Sequence, residues 1–182
     1  MTLSGDDGKL YYKLWFPLLD FVNERCKVNK KLTSITDAER LNPTDVKAVS
    51  DALCDNIYLI DEYLAQHKEI IEEHRAIILG WKNYVKGKFL IERHLKKGSI
   101  FISFEEEDVY QVVGINNSIE EIFLFFSIPL LVEATLYPFR DVIITDGLIM
   151  PYNVVFGGGV KTTYKDIYIE AKKTASIIKT LN

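Results

Sequence analysis

The sequence predicts an α+β fold: N-terminal helices packed on an antiparallel, barrel-like β-meander of about six strands, closed by a C-terminal helix. Three observations predict it. Apolar residues recur at three- and four-residue spacing through the first half, they alternate with polar ones from Lys88 onward, and the longer spacing returns after the glycines at 157–159. The 182 residues, 48% apolar and 26% charged, can bury a core without disulfides or metal and fall outside the disordered class. They are read as a single domain, 1–182, with a helical subdomain over 1–86 and the meander with its closing helix over 87–182.

The first helix spans about 9–24, where Tyr11, Leu14, Trp15, Leu18, Phe21 and Val22 form one stripe that Tyr12, Phe16 and Leu19 widen. A helix apolar on most faces belongs in a core or against a partner subunit. Pro17 should kink or restart it, because proline lacks an N–H and crowds the preceding turn. After a polar link over 27–41, Asn42 and Pro43 make a helix start, side-chain cap first and proline next. Val46, Val49, Leu53, Ile57, Ile60 and Leu64 then define the buried face of one helix. A further helix over about 70–86 uses Ile70, Ile77, Ile78, Trp81 and Val85 and ends at Gly87.

From Lys88 the period is two. "FLIERHL", "SIFISF" and "DVYQVVGI" read as successive strands, joined through Lys97-Gly98 and the acidic turn "EEED". Ser118 and Glu121 have the spacing of a capping box for a short helix. "LLVEATLY" reads as the next strand and Pro138 as the start of a tight turn. Asp146-Gly147 reads as a two-residue hairpin turn between "VIIT" and "LIMPYNVVF", whose Pro151 marks an edge strand or a bulge.

"FGGGVKTTYKD", over 156–166, is the nearest thing to a motif. A phosphate loop of the form G-x-x-x-x-G-K-[ST] ending at Lys161 would need glycines at positions held by Val155 and Val160, so the pattern fails twice. Thr163 and Asp166 are spaced as a capping pair for the last helix, carried by Tyr164, Ile167, Ala171, Ala175 and Ile178. The glycines are therefore read as a hinge between strand and helix.

Two further stretches carry candidate chemistry. Over 82–97, Lys86, Lys88, Lys96 and Lys97 accompany Trp81, Tyr84 and Phe89, which could track and stack a single-stranded nucleic acid. The plainer reading places the aromatics in the core and the lysines in water. Strict alternation puts Arg93 on the buried face with Phe89, Ile91 and Leu95, where a guanidinium needs a carboxylate. Glu133, in the middle of "LLVEATLY", is the complementary oddity. A ligand-binding polar pocket of Arg93, Glu133, Asp146 and Tyr152 is one reading, and two charged side chains reaching the rim of the sheet is the other.

Much chemistry is excluded. Cys26 and Cys54 make neither a disulfide framework nor a zinc site, and His67, His74 and His94 lack ligand spacing, so no metal and no cofactor is implied. No activated serine or cysteine motif is present, and the reading leans away from an enzyme. The net charge of −4 gives no reason to expect nucleic acid or an anionic membrane as partner. An acidic, polar start and the absence of a bilayer-length apolar run point to the cytoplasm.

The succession Pro138-Phe139, Asp146-Gly147-Leu148, Tyr152-Asn153 and Phe156-Gly157 resembles a family of uncharacterised bacterial proteins, with the likeness running from about Trp15 through most of the chain. The cysteine-rich metal-binding tail of some members is not among these residues. That family has no known activity, so the resemblance implies a bacterial cytoplasmic protein and carries over no catalytic residue. The expected function is that of a non-catalytic interaction or adaptor protein, with a homodimer through the aromatic first helix as one form.

Overall fold

The computed structural model describes residues 1–37 and 41–182; Ala38, Glu39 and Arg40, inside the predicted polar link, lie outside the described residues. The chain divides into two compact units, Gly5–Lys82 and a second made of Asn83–Asn182 with Met1–Ser4.

The first unit contains α1 (Gly5–Cys26), α2 (Pro43–Asp55), α3 (Leu59–Gln66) and α4 (Glu72–Gly80). Pro17 sits inside α1 without ending it, and Asp6 and Asp7 complement the positive end of the helix dipole. The aromatic stripe is core: Tyr11 stacks on Trp15 at 5.7 Å, and Trp81 meets Trp15 edge-on at 5.0 Å. All three are buried, and each such ring removes about 150–250 Å² from water.

Asn42 caps α2, its side-chain oxygen accepting the Thr44 N–H at 3.0 Å. The predicted continuous helix to Leu64 is broken at 56–58. Asn56 turns both its backbone N–H and its side-chain amide onto the Ala52 carbonyl, which closes α2. α3 then resumes with Ile60 and Leu64 buried, so the apolar face survives the break. The next helix also stops early, at Gly80, in a 3-10 turn over Trp81–Asn83; Gly87 lies inside a strand.

The second unit holds β1 (Val85–Leu95), β2 (Gly98–Ser103), β3 (Val109–Val113), α5 (Ile119–Ile122), β4 (Leu130–Phe139), β5 (Val142–Thr145), β6 (Met150–Pro151) and α6 (Gly158–Lys173). Pairing runs β1–β2–β3–β5–β4 and returns to β1, with β6 added on β4. The ring is not a true barrel. Its β3–β5 seam is two register pairs, Val112 with Ile143 and Val113 with Ile144, and these strands run parallel, which corrects the wholly antiparallel meander.

Local chemistry sets most boundaries. Gly98 has φ +137°, and a Cβ there would stand 2.6 Å from the Val112 carbonyl oxygen, so the β1–β2 turn requires glycine. Ser118 and Glu121 form the full capping box that starts α5. Pro138 lies within β4, and the turn falls instead on Arg140, at φ +51°. Asp146-Gly147 is not a hairpin. β5 and β6 both run antiparallel to β4, with Thr145 opposite Leu136 and Met150 opposite Glu133, so 146–149 interrupts a single run along β4.

Alternation sorts the strands' apolar residues into two clusters. Phe89, Ile91, Phe101, Tyr110 and Val132 share one with Ile119 and Phe123. Leu90, Ile100, Ile102 and Leu131 form the other, which Tyr164, Tyr168 and Ala171 of α6 cover. α6 ends at Lys173, Ala175 turns the chain at φ +56°, and Ile178, predicted as helical, exchanges backbone bonds with β3 instead. No helix among the described residues is long and apolar enough to cross a membrane.

Candidate functional site

A fault in alternation places Arg93. β1 carries one extra residue between Ile91, opposite Phe101, and Arg93, opposite Ile100. This bulge moves Arg93 off the Phe89 and Ile91 face and onto the face that α6 covers. There the guanidinium donates to Glu92 through Nε and through Nη2, the latter at 2.9 Å, and lies 4.0 Å from the centre of the Tyr168 ring. The Glu92 bond holds the Arg93 pKa above its ordinary value, against the cost of burial. Glu133 stands opposite Lys88, five residues away along β1, which at strand rise is about 16 Å. The predicted Arg93–Glu133 pocket is not formed.

Glu133 has other company on that face. Tyr152 donates its hydroxyl to Glu133 Oε2 at 3.2 Å, and Lys88 Nζ lies 5.5 Å from the centre of the Tyr152 ring. Asp146 is buried in the 146–149 interruption, where its Oδ1 accepts the Leu148 N–H at 3.0 Å. Of the predicted pocket residues, the structure thus joins Glu133 and Tyr152 and sends Arg93 elsewhere. Among the basic residues, Lys86 and Lys88 project from β1 opposite Thr135 and Glu133, while Lys96 and Lys97 are exposed at the β1–β2 turn. Trp81 and Phe89 are buried, so neither ring can stack a base.

The glycine stretch is the first turn of α6 and not a hinge ahead of it. Gly157 stands at the N-cap without a side-chain bond. Thr163 does not cap the helix: the Thr162 and Thr163 hydroxyls donate back to the Gly158 and Gly159 carbonyls at 3.0 and 3.1 Å. His94 is half-buried across from Ser99, whose Oγ is 2.7 Å from its Nδ1. Burial lowers the His94 pKa. Ser99 itself is buried, and the pair is a cross-strand hydrogen bond between β1 and β2. No group of three metal-ligating side chains occurs among the described residues.

What the sequence reading missed is an exposed apolar surface on this unit. α5 is a single turn, and the run behind it leaves Phe125 97% exposed, with Leu124, Phe126 and Ile128 open beside it. Beyond β6, Val155 is 91% exposed and Val154 is open as well. These two segments form the walls of one groove of about 190 Å³, lined by Phe125, Phe126, Ile128, Tyr152 and Val155, with Lys161 at its edge. The signal in the sequence was "FLFF" after a capping box, an apolar run that no helical or strand period organises.

No family model, curated protein or solved structure matches the chain. Function therefore rests on the geometry alone.

Proposed function

We propose that the protein is a non-catalytic interaction protein that self-associates through the apolar surface of its β unit. The exposure of Phe125 beside a groove open to one apolar side chain carries this reading. A knob and a hole on the same surface are what a two-fold interface needs, since each copy offers both. β6 is a two-residue edge strand, and the chain that continues it presents Val154 and Val155, so the edge and the apolar surface are contiguous. Exposed apolar patches beyond a few hundred Å² mark interaction surfaces on soluble proteins. A net charge of −4, with Glu120 and Glu121 exposed just ahead of the run, disfavours an anionic bilayer as the occupant.

The first helix is a poorer candidate for that interface, because Trp15 is 1% exposed in the folded chain. Light scattering across a concentration series tests the proposal. The wild-type chain should reach dimer mass, and a Phe125→Asp/Val155→Asp chain should stay monomeric with an unchanged circular dichroism spectrum. A wild-type monomer at every concentration, or a double variant that dimerises equally well, would overturn it.

A further inference from the structure

Among the described residues, Lys161 is the one charged side chain that lines the groove beside β6. No carboxylate in the lining answers it, and its side chain enters no ion pair among the described residues. An apolar groove with an unanswered cation at its rim fits an occupant that carries a carboxylate close to an apolar side chain.

The chain carries that combination on the same unit. Glu120 lies exposed on α5, five residues ahead of Phe125. Five residues reach no more than about 17 Å even when fully extended, so Glu120 stands near the rim of a groove that Phe125 enters. Its neighbour Glu121 is spent locally, with Oε2 accepting the Ser118 N–H and the Ser118 hydroxyl, each at 2.8 Å. Glu120 makes no such bond and, like Lys161, enters no ion pair among the described residues. The His94 imidazole, within range of the Glu120 charge, is driven toward its neutral form by burial and leaves that charge unanswered.

We infer that Glu120 of one copy pairs with Lys161 of the other, and that these pairs select the partner and fix how the copies meet. This rests on the self-association proposed above. Each copy offers both charges, so a two-fold contact makes the pair twice. The apolar knob supplies the affinity, since exposed ion pairs add little to it. Reversing one charge of the pair sets like charges face to face, which discriminates strongly.

Two full-length chains test the pairing, Lys161→Glu and Glu120→Lys, one of them isotope-labelled so that native mass spectrometry separates the dimers. Both positions are exposed, so each chain should keep the wild-type circular dichroism spectrum. Alone, each should dimerise at least about tenfold more weakly than wild type, because like charges then meet at both contacts. Mixed in equal amounts, they should form a heterodimer within about threefold of wild-type affinity and in excess over both homodimers, because the mixture restores opposite charges at both contacts. Reversed chains that homodimerise as tightly as wild type, or a mixture without excess heterodimer, would overturn the pairing and leave the self-association standing. A wild-type monomer at every concentration would overturn both and leave the groove to a different partner.

Discussion

The helical unit and the β unit begin with similar material, an aromatic-rich apolar run, and dispose of it in opposite ways. In α1, Tyr11 and Trp15 share a face and pack with Trp81 until none of the three reaches water. After α5, Phe125 stands 97% exposed. The difference lies in the period. A helix of 22 residues turns its apolar residues onto a stripe that other helices cover, whereas a single turn of helix followed by an irregular run gives consecutive residues no common face. Hydrophobicity alone does not decide which apolar run is core.

The sharpest way to break this comparison is to put a charge in each run. Trp15→Glu should cost the helical unit more than about 4 kcal/mol in urea unfolding, because it buries an unpaired carboxylate and removes a large ring. At protein concentrations where the chain is monomeric, Phe125→Asp should change unfolding by less than about 0.5 kcal/mol, as an exposed substitution does. Equal costs at the two positions would mean that Phe125 is core after all.

Much of the fold was legible in the sequence wherever short-range chemistry sets the structure. Asn42-Pro43 and Ser118 with Glu121 start helices as their spacing says, because a cap needs only its own first turn. The strand periods of β1 to β4 were legible for the same reason. The site was much less so. One unpaired residue in β1 turns Arg93 to the other face, and no composition signal announces a bulge. Asn56 breaks a helix that its apolar spacing continues, and 146–149 interrupts a strand where Asp-Gly suggests a hairpin. The bracing of 29–36 by Asp20 and Asn23 of α1 was invisible as well, because only the fold brings these residues together.

A smaller effect sharpens the account of the helical unit. Asp20 of α1 accepts the Thr36 N–H and hydroxyl, and Asp20→Ala should cost about 2–3 kcal/mol, since it strips the 34–36 segment of a charged acceptor for several donors. Denaturant melts of the two chains check it. An Asp20→Ala chain of wild-type stability would show that the segment is held some other way.

The smallest effect is one of pH and belongs to the β unit. Burial, then the charge of Asp108 and a 3.3 Å bond to it, pushes the Tyr110 phenol up to about 12. A phenol raised above its unfolded value of about 10 supports folding fully below pH 10 and loses that support as the pH climbs toward 12. The Tyr110→Phe chain should therefore lose less stability than wild type between pH 10 and 12. Parallel pH-dependent melts would detect it, and identical slopes would refute the assignment.

Hydrogen exchange measured at low and high protein concentration tests the central contrast most directly. The account predicts concentration-dependent protection at 122–128 and 152–156, with α1 unchanged. Protection that grows along α1 instead, or at neither place, would contradict it.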